Sequence, residues 1–478
     1  MERKDYDAIV VGSGPNGLAA AIALQQKGCS VLLLEAKASI GGGMRSAALT
    51  LPGFLHDICS AVHPLAMASP FFSQLPLNKF GLKFIVPPVS AAHPFDDGTA
   101  AVLKKSLEET AEALGEDKSN YLRLIGPLVH NWDSLLPDLL APLRFPGSPL
   151  QFARFGLHAL PSAEFVSKRF KTEAAKGLWA GMAAHSIQPL SKLTTSAIAL
   201  VLTAAGHTQG WGIPQGGAQR LADALGAYFL SLGGEIETNF YVKSLDQLPS
   251  SKAILFDITP RQLLEIAGHR FSGLYRWQLE KYRYGMGVFK VDWALAEPIP
   301  FTADACREAG TIHLGNTLGE IAAAEQQTWA GQHPDRPFVL LAQQSVFDPS
   351  RAPAGKQAAW GYCHVPHGSK VDQTEAIERQ VERFAPGFRE RILARHTMNA
   401  AQMEAYNPNY IGGDINGGVI DLGQLFTRPA LRYSPYRTSA KGLYLCSSST
   451  PPGGGVHGMC GYHAAQRVLK DLFSTSLA

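Results

Sequence analysis

Ala8-Ile9-Val10-Val11-Gly12-Ser13-Gly14-Pro15-Asn16-Gly17, with the helix that follows and then Ser30-Val31-Leu32-Leu33-Leu34-Glu35, is the stretch that decides the fold. Ala8 to Val11 reads as a buried strand running straight into a G-x-G-x-x-G turn. Each part meets one need of a bound dinucleotide. Gly12 permits the tight turn, Gly14 lets backbone approach a pyrophosphate, and Gly17 lets the helix pack on the strand. Pro15 and Asn16 open that helix, whose N-terminus offers free N–H groups and a positive dipole end to phosphates. Glu35, 23 residues after Gly12, is placed to accept hydrogen bonds from an adenosine ribose, with Ala36 beside it. Its charge opposes a 2′-phosphate, so NADP is not expected.

The residues beyond Glu35 separate FAD from NAD. A second glycine cluster, Gly41-Gly42-Gly43-Met44-Arg45-Ser46, stands where an NAD dehydrogenase would continue into a crossover helix. Its glycines suit a loop folding back over the same pyrophosphate, with Arg45 supplying charge-assisted hydrogen bonds. Near the far end, Gly442 to Cys446 is a short apolar strand. It leads into Ser447-Ser448-Ser449-Thr450-Pro451-Pro452-Gly453-Gly454-Gly455-Val456-His457-Gly458-Met459-Cys460-Gly461 and a helix to about Leu472. Gly453 to Gly458 also matches G-x-G-x-x-G. A six-residue loop with two prolines precedes it and no βαβ unit follows, so it reads instead as a helix N-terminus aimed at a flavin ring. N–H groups near Val456 to Gly458 would stabilise negative charge on the reduced isoalloxazine.

These three motifs together resemble the phytoene desaturase-like flavoproteins. That group includes carotenoid desaturases, retinol saturase and the pyridine nucleotide-disulfide oxidoreductase domain-containing proteins, within a wider class shared with amine oxidases. Trp211-Gly212-Ile213-Pro214-Gln215-Gly216-Gly217 looks like the family's P-x-G-G turn. Ser447 departs from the glycine that members often carry there. The resemblance implies an α/β fold: a Rossmann-like FAD-binding domain of discontinuous segments, 1–69, 210–271 and 428–478, plus a mixed-sheet α+β substrate domain, 70–209 and 272–427. It implies FAD as cofactor, held by Gly12, Gly14, Pro15, Asn16, Gly17, Glu35, Ala36, Gly42, Gly43, Met44, Arg45, Val242 near the adenine, Ser448, Pro452, Gly453, Val456, His457 and Gly458. Asp257 to Pro260 would close the Rossmann sheet.

Composition agrees with an ordered globular chain: 46% of residues are hydrophobic and 17% charged. A net charge of +3 with scattered signs gives no reason to expect nucleic acid. Six cysteines form no C-x-x-C pair, which argues against a redox disulfide and against zinc. Met1 to Asp5 is charged and no apolar leader or 20-residue apolar run is present, so a cytoplasmic chain, at most peripheral to a membrane, is expected. Glu235 to Val242, Gly285 to Leu295, Pro337 to Gln344 and Ala358 to Val365 read as strands, and Thr374 to Phe384 as a polar helix. Ser119 to Lys171, interrupted by six prolines, reads as a helical lid or mouth.

Hydride transfer to a flavin needs few side chains. Lys290 and Asp292 share a strand face, and Lys290 resembles by location the lysine that amine oxidases place near flavin N5; a surface ion pair on an edge strand is the alternative. His457 sits on the ring-facing loop, and His56-Asp57, His63 and His185 are further pocket candidates. Asn407 to Gly418, with four glycines and three asparagines, suits close approach to a planar ring, a mobile gate or a hairpin. The apolar residues between Leu135 and Phe170, flanked by Arg144, Arg154, Lys168 and Arg169, suit domain core or a membrane-docking face. No metal site is expected. The leading expectation is an FAD-dependent dehydrogenase or desaturase of a small hydrophobic, polyene, isoprenoid or lipid-like substrate. A flavin amine oxidase and a flavin-binding regulatory protein are the alternatives.

Overall fold

The computed structural model describes residues 5–473; the charged opening at 1–4 and the end of the last expected segment, 474–478, lie outside the described residues. Strands Leu443–Leu445, Ser251–Phe256, Tyr6–Val11, Val31–Leu34 and Glu235–Glu237 form, in that order, a parallel sheet. Both its faces are covered, which is why its central strands are apolar over Ala8 to Val11, Val31 to Leu34 and Ala253 to Phe256. Ala8, Val10, Val31 and Leu33 enter the core shared with helix Pro15–Gln25, while Ile9, Val11, Leu32 and Leu34 enter the opposite one. The strand expected to reach Val242 stops at Glu237, because Asn239 takes a left-handed φ of 58° that breaks extension.

Register brings the carboxyl ends to one edge. Val11 lies opposite Leu34 and Phe256. The chain then leaves as Gly12, Glu35, Asp257 and Cys446, tied by Gly12 N–H to the Leu34 carbonyl (2.8 Å), Asp257 N–H to the Val11 carbonyl (2.8 Å) and Cys446 N–H to the Phe256 carbonyl (2.9 Å). The crevice outside such an edge, at the strand where chain order reverses, is where open α/β sheets take ligands. Helices Pro15–Gln25 and Met459–Val468 cross here in close contact. A Cβ on Gly461 would lie 1.7 Å from the Asn16 carbonyl oxygen, so the crossing requires glycine.

The second sheet has seven strands in the order Ile392–Met398, Gly287–Leu295, Gln357–Val365, Val339–Ala342, Ala309–Leu314, Val89–Pro94 and Ala100–Lys104. Ala309–Leu314 and Val89–Pro94 are parallel; the other neighbours are antiparallel. Helices Glu173–Ala184 and Thr195–Thr208 cover one side. The proline-interrupted region forms helices Lys118–His130, Trp132–Leu139, Pro149–Ala159 and Ala163–Ser167, with Pro127 and Pro137 inside the first two. Its apolar residues divide: Leu135, Leu136, Leu140 and Phe170 are buried, whereas Leu143, Phe145, Leu150 and Leu157 are exposed. No helix among the described residues is long and apolar enough to cross a membrane.

Candidate cofactor and substrate cavity

A cavity of about 460 Å³ is walled by the carboxyl edge of the parallel sheet and by one end of the seven-stranded sheet. Gly12, Gly14, Pro15, Asn16, Glu35, Ala36, Gly42, Gly43, Arg45 and Val242 line it from the first side, with Ser448 and Val456 from the C-terminal segment. The two glycine turns interlock. A Cβ on Gly14 would meet Asp257 Oδ2 at 2.6 Å, and one on Gly42 would meet Gly14 Cα at 2.9 Å. Helix Pro15–Gln25 starts without a side-chain cap and with no acid in its first turn. The buried Asn16 Oδ1 has no partner. An uncapped helix end and glycines where side chains would intrude fit a dinucleotide diphosphate, whereas the orphaned Asn16 acceptor suits a donor such as a hydroxyl.

Glu35 is buried at the end of its strand and well held. Ser13 donates its N–H (3.1 Å) and its hydroxyl to Oε2, while Lys37 N–H (2.9 Å) and Arg45 Nη2 (2.8 Å) donate to Oε1. Arg45 therefore differs from expectation. Its guanidinium faces Glu35 and, through Nε, the Ser39 carbonyl at 2.9 Å, because a buried carboxylate needs a cation more than a diphosphate does. Asp257, missed as a binding residue, lines the same wall and takes the Gly17 N–H at Oδ2, 2.9 Å away. Burial, helped by the nearby Glu35 charge, pushes its carboxyl up to about 7 against the opposing pull of the Gly17 and Gly14 N–H groups.

Six expected cofactor contacts, His457 among them, fall behind the wall. Gly17 packs against Gly12, where a Cβ would lie 1.9 Å from its carbonyl oxygen; Met44 is in the core; Gly453 abuts Arg428 and Gly458 abuts Phe72. Pro452 likewise stands outside the lining. They shape the turns whose neighbours reach the cavity. Arg428, also unforeseen, is fully buried and pins two of those neighbours: Nη2 donates to the carbonyls of Ser448 (2.8 Å) and Gly417 (3.2 Å). The Asn407 to Gly418 loop is thereby neither hairpin nor free gate. Asp414 holds it by accepting the N–H groups of Gly285 (2.7 Å) and Gly418 (3.0 Å), and Asn407, Tyr410, Ile415 and Gly417 line the cavity.

The catalytic candidates Lys290, Asp292 and His457 do not reach the wall. Strand Gly287–Leu295 is paired on both sides, so Lys290 and Asp292 form a buried ion pair rather than one on an edge strand. The ammonium lies 5.6 Å from the ring centre of Trp360, which is the wall. Burial raises the Asp292 carboxyl, but Lys290, His396 and His56 outweigh it and hold it below the usual range. His457 turns inward: Nδ1 accepts the Met459 N–H (3.0 Å), and burial lowers the ring to about 4. His56 and Asp57 also miss the cavity, whereas His63 and His185 line it.

The second side of the cavity carries Cys59, Val62, Leu65, Leu202, Trp211, Leu340, Trp360, Tyr362 and Ile415. Trp360 and Tyr362 are stacked, 5.5 Å between centroids and 21° between planes. The charged lining residues, Glu35, Lys37, Arg45, Lys243, Asp257 and Glu265, all belong to the dinucleotide side. Among the described residues no group of histidine, cysteine and carboxylate side chains could hold a metal.

A Rossmann sheet joined to a mixed sheet around one cavity is the architecture of two-domain amine oxidase and desaturase-type oxidoreductases, and the chain has that fold. Residues 10–74 match the model of the NAD(P)-binding Rossmann-like domain. The chain is a homologue, over 98% of its length and 94% of the relative's, of the Mus musculus pyridine nucleotide-disulfide oxidoreductase domain-containing protein 2, at 26% identity. It is 24% identical to a lycopene-forming phytoene desaturase of a Paracoccus species over 59% of this chain and 60% of that one. A putrescine oxidase solved with putrescine superposes with a TM-score of 0.64 at 16% identity, covering 98% and 99% of the two chains, a likeness of fold.

Proposed function

We propose that the protein is an FAD-dependent dehydrogenase or desaturase of a neutral hydrophobic substrate. One observation carries this reading: a single cavity has a glycine-lined, charge-bearing side fitted to a dinucleotide and an opposite side of apolar and aromatic groups without a charged side chain. When bound, FAD supplies a two-electron acceptor at its ring. The chain's own residues do the remainder. Glu35, neutralised by Arg45, stands at the strand end where ribose hydroxyls would take the place of one of its present donors, and Gly14 and Gly42 admit the diphosphate to backbone contact. Ser448 and Val456, fixed through Arg428 and the helix Met459–Val468, bring the C-terminal segment to the ring. The stacked Trp360 and Tyr362 exclude water from the substrate side. The similarity to a phytoene desaturase supports a polyene or isoprenoid substrate.

Anaerobic titration of the yellow holoprotein with isoprenoid alcohols and lipid extracts tests this, with bleaching of the flavin band as the expected result. The aromatic wall and the fold likeness to putrescine oxidase support a second reading, a flavin amine oxidase. Peroxide release on addition of amines, with no bleaching by lipids, would establish that one instead.

A further inference from the structure

At the substrate end, Thr311 and His185 stand among apolar and aromatic lining residues, and each has a polar atom without a partner among the described residues. Thr311 lines the cavity, and its buried Oγ1 makes no hydrogen bond. His185, at the end of helix Glu173–Ala184, also lines it. Its Nε2 lies 2.9 Å from Nε2 of His313, and His313 shares the face of strand Ala309–Leu314 with Thr311, two residues away.

The pair of rings fixes its own tautomers. One proton must lie between the two Nε2 atoms. Were His185 the donor, His313 would carry its other proton on Nδ1, which is buried without an acceptor and faces Gly181, where even a Cβ would lie 2.6 Å away. An unsatisfied buried donor is costly, so His313 donates to His185. The proton of His185 then resides on Nδ1, which makes no hydrogen bond among the described residues but, unlike His313 Nδ1, is not fully buried. Burial lowers both rings, His185 to about 3, so neither carries charge near neutrality.

We propose that His185 and Thr311 form an anchor for one uncharged oxygen, a carbonyl or hydroxyl, on an otherwise hydrocarbon substrate. This rests on the reading of the cavity as a flavin and substrate site and narrows the substrate class within it. A carbonyl oxygen accepts from both groups; a hydroxyl accepts from His185 Nδ1 and donates to Thr311 Oγ1. A carboxylate would meet no cation here and an ammonium no carboxylate. A pure hydrocarbon would leave both groups desolvated and unpaired, the situation a hydrogen-bonding site rejects most strongly.

The test uses holoprotein with 2-octanone and octane as probes, reading dissociation constants from the perturbed flavin spectrum. Thr311→Val is nearly isosteric and keeps the wall intact. It should weaken 2-octanone about tenfold, the ratio one lost hydrogen bond is worth, and tighten octane, which no longer leaves a hydroxyl unpaired. His185→Phe should do the same, and its folding can be judged by its flavin content. Equal effects of Thr311→Val on both probes, or wild-type holoprotein that binds octane but not the ketone, would overturn the anchor alone. A wild-type protein that takes up no flavin would overturn the underlying reading as well.

Discussion

The two ends of the cavity are built by opposite means. At the dinucleotide end the wall is mostly backbone: glycines at Gly12, Gly14, Gly42 and Gly43, with charge supplied by the neutralised pair Glu35 and Arg45. At the substrate end the wall is mostly side chain: Trp211, Trp360, Tyr362, Leu202 and Leu340, projecting from strands, a helix and a loop far apart in sequence. The first end suits a ligand whose shape and charge are fixed, because backbone contacts leave no room for variation. The second suits a ligand recognised by volume and by a few neutral hydrogen bonds. One half of the cavity thus suits a dinucleotide, and the other half suits a ligand chosen by size and shape.

The largest expected effect breaks the first end. Arg45→Met leaves Glu35 buried with no cation and should destabilise the protein by about 4 kcal/mol, read as a lowered urea midpoint together with lost flavin. A change of less than about 1 kcal/mol would mean the pair behaves as a surface contact. Lys290→Met probes the second end from behind its aromatic wall. Because Asp292 keeps His56 and His396 nearby, the expected loss is smaller, about 3 kcal/mol. Flavin reduction per bound flavin should match wild type; a collapse of that rate at full flavin occupancy would restore Lys290 to the chemistry.

A pH-dependent effect sharpens the contrast between the charged and neutral ends. The Asp257 carboxyl holds its proton more tightly in the folded protein, near 7, than its ordinary value of 3.8. A carboxyl raised in this way favours folding most below its unfolded value, and that stability is lost as pH rises from 3.8 toward 7. Asp257→Asn should flatten that part of the profile in urea titrations between these limits. Parallel profiles for wild type and variant would show that the carboxyl is ionised in the fold.

Legibility followed the same division. The dinucleotide end could be read from sequence because close backbone approach demands glycine at fixed spacing after a strand, and Gly12, Gly14, Gly42 and Glu35 satisfied that demand. The polar helix Thr374–Phe384 was equally plain from its period. Arg45 was misdirected because spacing shows that a cation is near a site, not which acid claims it. Lys290 and Asp292 alternate correctly, but one strand alone does not reveal that it is paired on both sides and screened by Trp360 of a strand some seventy residues on. Asp257 carried a signal that went unused: it ends an apolar strand, as Glu35 does. Arg428 carried none, since its role is to tie the carbonyls of Gly417 and Ser448. His185 and Thr311 meet only through His313, a pairing made by tertiary packing.

The central claim is that both ends of the polypeptide grip one FAD, and cofactor stoichiometry tests it most directly. Purified protein, Gly14→Val and Gly455→Val should be compared for flavin bound per chain. A Cβ at Gly14 would meet Asp257 Oδ2 at 2.6 Å, and one at Gly455 would enter a left-handed backbone with φ of 118° beside Leu65. The account predicts one FAD per wild-type chain and its loss in either variant. A nicotinamide nucleotide in place of flavin, or a Gly455→Val protein that keeps full flavin affinity, would contradict it.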